Sequence, residues 1–186
     1  TAPTQRWQQR GVRQILQTIQ HTAGIYTFLA QFQRHARKIG QELLWWETTR
    51  SFRRYHLQGV WHNLMPDALF EYQAQGARVE AWLEWDTGSM HQKPLRAKFE
   101  AYAHYVRSHQ YRHEHVVPPT LLVVTPHYGR EQSLRRIAAS VLGSFPLMIW
   151  TTTEQLLEVQ GPLAAIWRPL GSGGEIDEDG IRSMWV

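Results

Sequence analysis

The sequence predicts a single mixed α/β domain, and three patterns carry that prediction. Amphipathic helical stripes recur at Thr22 to Lys38, Leu95 to His109 and Glu131 to Leu142. Two extended runs joined by a glycine-containing turn lie between the first and second stripes. Between the second and third lies Leu121-Leu122-Val123-Val124, short and wholly apolar, as expected of a strand buried on both faces. Helical and strand periodicities interleaved in this way read as a central sheet with helices packed on it.

Taken in order, about Gln5 to Ile19 forms a leading helix. Thr22 to Lys38 places Ile25, Phe28, Leu29 and Phe32 on one stripe, with Arg34, Arg37 and Lys38 at its C-terminal end, where the helix dipole favours cations. Glu42 to Thr48 is a first strand, on which Trp45 and Trp46 point to opposite faces. Met65 to Tyr72 is extended and opened by Pro66, since proline is tolerated at the start of a strand. Gln73 to Gly76 turns the chain, and Arg78 to Asp86 returns antiparallel. Alternation puts Val79, Ala81 and Leu83 on one face and Arg78, Glu80, Trp82, Glu84 and Asp86 on the other. Pairing Leu69-Phe70 with Trp82-Leu83 brings Asp67 near Glu84 and Asp86.

Pro94 fits the first turn of the next helix, whose inward stripe is Leu95, Phe99, Tyr102 and Val106. Lys98 and Tyr102 stand one turn apart on that helix and are surface neighbours. The last predicted helix turns Leu134, Ile137, Ala138 and Val141 inward and closes at Gly143. Phe145 to Thr151 is a further strand, and Ala165 to Arg168 another within a C-terminal appendage. The expected organisation is a leading helix over 1–20, an α/β core over 21–152 and an appendage over 153–186. Glu175 to Asp179 is acidic and follows Gly171-Ser172-Gly173-Gly174, so that tail is expected to be mobile.

Composition excludes several classes. No apolar run approaches the ~18–20 residues of a membrane span and no secretory signal is visible, so the expected setting is cytoplasmic. With no cysteine, disulfides and thiolate metal sites are out. Net charge is +4, and the basic residues cluster: Arg50, Arg53 and Arg54 after the first strand, and Arg130, Arg135 and Arg136 on the last helix. Arginines interleaved with tryptophan and tyrosine suit phosphate contact and base stacking, although each cluster alone also fits a solvated face. His109, His113 and His115 have zinc-ligand spacing only if a helix runs through them, and Val116-Val117-Pro118-Pro119 argues for a loop instead.

The chemistry-bearing feature is the acidic group Asp67, Glu84 and Asp86, set beside apolar strands with Lys98 on the helix behind. Ionised groups are costly to bury, so such a cluster requires partners or a cation. Clustered carboxylates suit a hard divalent ion, Mg²⁺ or Mn²⁺.

The order Pro66-Asp67, then Leu83-Glu84-Trp85-Asp86-Thr87-Gly88, then Lys98-Phe99-Glu100-Ala101-Tyr102 resembles the PD-(D/E)XK nuclease superfamily. Within that superfamily it is most similar to the replication-relaxation proteins of plasmids and mobile elements. The resemblance runs from about His21 through the Leu121 strand to the Arg130 to Arg136 helix. It implies a restriction-endonuclease-like αβββαβ core, a mixed sheet flanked by helices. It also implies that Asp67 and Glu84 hold Mg²⁺ or Mn²⁺, and that Asp86 binds a second metal or orients Lys98. Lys98 would stabilise the transition state at phosphorus, and Tyr102 would order Lys98 or the phosphate. The implied role is DNA processing in replication or mobilisation. The chain would act either as a Mg²⁺-dependent endodeoxyribonuclease or as an inactive nuclease-fold module that binds DNA, a relaxase or a replication protein. Two features depart from the superfamily pattern. Asp86 stands where the lysine two residues after the second acid is usual, so Lys98 would be a migrated lysine. The first core helix, Thr22 to Lys38, carries no acid where many members place a glutamate.

Overall fold

The computed structural model of the protein describes residues 3–48, 52–74, 76–113, 117–143, 147–170 and 185. In chain order the elements are α1 (Pro3–Lys38), β1 (Glu42–Thr48), β2 (Arg53–Leu57), β3 (Val60–Leu64), β4 (Ala68–Ala74), β5 (Ala77–Trp85), α2 (Gln92–Arg107), β6 (Thr120–Thr125), α3 (Tyr128–Leu142), β7 (Ile149–Thr153), α4 (Glu154–Gln160) and β8 (Arg168–Leu170). A 3₁₀ turn covers Gln110–His113.

Six strands form one sheet in the order β1-β4-β5-β6-β7-β8. β1, β4 and β5 are antiparallel neighbours, β6 and β7 continue parallel to β5, and β8 closes the edge antiparallel. The parallel steps require crossovers, and α2 and α3 supply them. Both helices pack on one face, where Leu95, Phe99, Tyr102, Leu134 and Ala138 meet Leu69, Trp82, Leu121 and Val123. On the other face Ile25, Phe28 and Phe32 of α1 meet Phe70, Tyr72, Leu83, Leu122 and Val124, with Leu157 of α4 beside them. The mixed sheet with helices on both faces is the architecture that the interleaved periodicities predict. No helix among the described residues is long and apolar enough to cross a membrane.

Several boundaries differ from the sequence reading. The leading helix and the Thr22 helix are one helix of 36 residues, because nothing at Gln20-His21-Thr22-Ala23 interrupts the backbone bonding. Only its second half is covered by the sheet; Val12, Ile15, Leu16 and Ile19 are exposed. After β1, where the sequence pattern assigns no element, the chain forms a second, two-stranded sheet, β2 with β3. Its Gln58-Gly59 corner has positive φ at both residues, as the tight hairpin turn that matches strand twist requires. The next strand starts at Ala68, after Pro66 and Asp67 rather than at Met65. Leu69 faces Trp82 and Ala68 faces Leu83, and Asp67 N–H extends the ladder to Leu83 O at 3.0 Å. α2 ends at Arg107, so His109 and His113 are not on one continuous helix, and His115 lies outside the described residues. β7 spans Ile149–Thr153, and Phe145 lies outside the described residues, as do Arg50 and the acidic Glu175 to Asp179 segment. α4 was not foreseen, and β8 lies three residues beyond the expected start at Ala165.

One contact sets how α1 approaches the site. At Gly24 a Cβ would stand 2.2 Å from Cε2 of Trp85, so only glycine lets the helix lie against that indole. Trp85 points to the α1 face, which turns its neighbours Glu84 and Asp86 to the opposite side.

Candidate active site

The C-terminal ends of β5 and β6 and the start of β4 meet at one end of the sheet, where Asp86 N–H donates to Val124 O at 2.9 Å. Ligands of open α/β sheets collect at the carboxyl ends of parallel strands. At this end a cavity of about 170 Å³ is lined by His21, Asp67, Glu84, Asp86, Lys98 and Tyr102, among others.

Asp67 is held by backbone and helix together. Its Oδ2 accepts from Trp85 N–H at 2.8 Å and lies 3.1 Å from His21 Nε2 on α1. Its Oδ1 lies 3.9 Å from Lys98 Nζ. Burial works against ionisation of Asp67, but the His21 hydrogen bond and the Lys98 charge outweigh it, so its pKa is lowered.

Glu84 is buried and gathers both predicted residues of α2. Lys98 Nζ bonds its Oε2, and Tyr102 O–H donates to its Oε1. Residues one helical turn apart point the same way, so a single carboxylate can receive both. Burial dominates its titration and, with the neighbouring Asp67 charge and against Lys98, pushes its pKa up to about 8. Burial opposes the charge on Lys98, but Glu84 and Asp67 raise its pKa overall. Tyr102 is driven well above the ordinary phenol value, first by burial and then by the Glu84 charge. The arrangement is thus one ammonium set against two carboxylates. Asp67 favours the ionised state, and Glu84 is the acid of the pair that burial pushes towards holding a proton.

Asp86 lines the same cavity but has a different partner. Arg130 of α3 grips it with Nε to Oδ2 at 2.6 Å and NH2 to Oδ1 at 3.0 Å, and the same NH2 donates to Met90 O at 2.8 Å. The bidentate guanidinium takes one lone pair on each Asp86 oxygen and is its closest charged partner, while Asp86 still lines the cavity. Arg130, expected at a phosphate, is therefore turned inward to an acid. Among the described residues no three His, Asp or Glu side chains come together closely enough to hold a metal ion. Asp67 and Glu84 are adjacent, and two carboxylates are the donor set Mg²⁺ commonly takes when waters or phosphate oxygens complete its shell. The residues present fit such an ion in that mode.

The remaining arginines separate. Arg135 is completely buried and donates to Thr151 Oγ1 and to the carbonyls of Arg168 and Pro169, each at 3.0 Å, so it offers no surface to a nucleic acid. It belongs to a network in which Arg168 NH1 meets Glu131 Oε2 at 2.9 Å and Thr151 donates to Glu131 Oε1 at 2.7 Å. Arg136 is exposed, Arg54 is exposed, and Arg53 is half-buried on the opposite side of β2. Sequence reasoning missed His21 as a site residue. The only signal for it was a histidine one turn before Gly24 on a helix aimed at the strand ends.

No curated protein and no solved structure matches this chain. The sequence profile of the replication-relaxation family matches residues 1–121, a stretch that takes in α1, both β-hairpins and α2 and therefore His21, Asp67, Glu84, Asp86, Lys98 and Tyr102. Arg130 and the Glu131 network lie beyond it. The match covers well over half of the chain, which belongs to the replication-relaxation family.

Proposed function

We propose that the Asp67–Glu84–Lys98–Tyr102 pocket is a phosphodiester-cleaving site acting on DNA, on a PD-(D/E)XK-like core. Family membership suggests a role in the replication or mobilisation of plasmids or mobile elements. The observation that carries the chemistry is the convergence on one cavity of Asp67, Glu84 and a lysine from the crossover helix. The antiparallel β1-β4-β5 unit followed by a helix and parallel β6 is the strand order expected of that core. Asp67 and Glu84 would hold Mg²⁺ or Mn²⁺, which when bound supplies Lewis-acid stabilisation of a phosphate oxygen and lowers the pKa of bound water.

The chain's own groups account for the rest. Tyr102 fixes one oxygen of Glu84, leaving the other to Lys98 or to the ion. Lys98 then has an ammonium free to meet the negative charge that develops on a non-bridging phosphate oxygen. His21 and the Trp85 N–H hold Asp67 in one orientation, so that acid is already placed before an ion binds. Cytoplasmic action and a relaxase or replication protein as partner are part of this reading.

The test is incubation of supercoiled plasmid with the protein and Mg²⁺ or Mn²⁺. Nicking or linearisation should be lost in both Glu84→Gln and Lys98→Met. Absence of any metal-dependent cleavage by wild type on supercoiled, relaxed and single-stranded DNA sinks the catalytic reading. The second reading, a module that binds DNA or a partner without cutting, draws on the Arg130–Asp86 pair and the Lys98–Glu84 bond, in which two of the three acids already have cationic partners. On that reading Asp67, Glu84 and Lys98 are a structural network, and the variants lose stability with no effect of metal on the wild type.

A further inference from the structure

We infer that the β2–β3 hairpin is a binding platform for single-stranded DNA, with Trp61 as its stacking residue and Arg54 as its phosphate contact. This deepens the DNA-processing reading and rests on it for the choice of nucleic acid. The hairpin has two unlike faces. Tyr55 and Leu64 point inward and are buried, with Tyr55 edge-on to Tyr105 of α2. The outward positions Arg54, His56, Trp61 and Asn63 are all exposed. They are cross-strand pairs, Arg54 opposite Asn63 and His56 opposite Trp61, so they form one continuous surface.

That surface has the chemistry of a strand-binding site. The Arg54 guanidinium lies 5.1 Å from the Trp61 ring centroid, and the His56 ring stands at 5.3 Å in an edge-on arrangement. Trp61 nevertheless keeps 56% of its surface exposed, an unusual placement for a residue that normally buries a large apolar area. Base stacking on tryptophan is tolerant of sequence, and a stacked arginine adds both charge and a planar surface. From Thr49 to Pro66 the chain has three arginines and no acid, so nothing on the hairpin repels a phosphate. An unpaired strand is favoured over a duplex because a base must leave its own stack to lie on the indole.

Position connects this face to the cavity. β3 runs directly into Met65, Pro66 and Asp67. Asp67 follows Asn63 by four residues, at most about 14 Å of backbone, so the end of β3 lies within that reach of the acid pair.

The test is fluorescence anisotropy of a labelled oligo(dT) and of a duplex of equal length, titrated with protein in EDTA at several NaCl concentrations. Wild type should prefer the single strand. Trp61→Ala should weaken binding about tenfold or more and leave the salt dependence unchanged, while Trp61→Phe recovers most of it. Arg54→Ala should lower the slope of log K against log salt by about 0.7, the effect of one lost phosphate contact on a single strand. Because Trp61 is exposed, these variants should melt with the wild type, which a parallel thermal scan checks. Equal affinity in Trp61→Ala, preference for duplex, or no oligonucleotide binding by wild type overturns the platform. Metal binding and plasmid cleavage, measured separately, tell its failure from that of the catalytic reading: a protein that cuts DNA but ignores Trp61→Ala loses the platform and keeps the site.

Discussion

Glu84→Gln should change how stability depends on pH, and the structure fixes the sign and the scale. Glu84 is buried against Lys98 and Tyr102, and its folded-state pKa is raised from 4.5 to about 8. A carboxyl raised in this way contributes stability that is fully present below its unfolded pKa and is lost as pH rises through the folded one. Between those values the folded protein holds a proton that the unfolded chain has released, so unfolding free energy falls with pH by up to about 1.4 kcal/mol per unit. Over the whole window the upper bound is about 5 kcal/mol, and water reaching the carboxyl through the cavity brings the expected loss to roughly 2–4 kcal/mol. Asp67 is shifted down from 3.8 and Lys98 up from 10.5, so neither adds slope between pH 5 and 8. Glutamine keeps the shape and cannot titrate, so the difference between the two urea-unfolding curves isolates Glu84. In metal-free buffer the wild type should lose stability relative to Glu84→Gln steadily from pH 5 to 8. Parallel curves over that range would show that Glu84 stays ionised in the folded protein and would refute the argument.

Three further outcomes follow from the packing. Arg130→Met should destabilise the protein by about 1–3 kcal/mol in urea unfolding, because it leaves the half-buried Asp86 carboxylate without its charged partner; adding Asp86→Asn should recover most of the loss. Gly24→Ala puts a methyl 2.2 Å from the Trp85 ring, so despite better helix propensity the melting temperature should fall and the near-ultraviolet circular dichroism should change. Arg135→Met removes three hydrogen bonds at 0% exposure and leaves the Arg168 and Pro169 carbonyls without that donor. It should lower stability by a few kcal/mol without altering the salt dependence of oligonucleotide binding.

The legible parts of the sequence were those governed by local periodicity. Ile25, Phe28, Leu29 and Phe32 are all buried as their spacing required, and so are Leu95, Phe99, Tyr102 and Val106. The strand alternation that put Glu84 on the Trp82 face also located the acid opposite α2, and Lys98 and Tyr102 reached it from a simple one-turn rule. Long-range partnering was not legible. Arg130 and Arg135 look alike in sequence, yet one pairs with Asp86 and the other is enclosed by carbonyls of β8, contacts set by how α3 crosses the sheet. His21 reaches Asp67 only because α1 runs unbroken and Gly24 lets it settle on Trp85. The β2–β3 hairpin escaped notice because its strands are short and half polar, with the Gln58-Gly59 turn the only marked signal.

The most direct test of the central claim is calorimetric titration of Mg²⁺ and Mn²⁺ into wild type and Asp67→Asn, with melts of both metal-free proteins. Asparagine keeps an acceptor for the Trp85 N–H while removing the charge. The account predicts saturable binding to wild type, its loss in Asp67→Asn, and metal-free melting temperatures within a few degrees of each other. No binding to wild type, together with a large fall in the melting temperature of Asp67→Asn, would contradict it and leave the acids as a structural network.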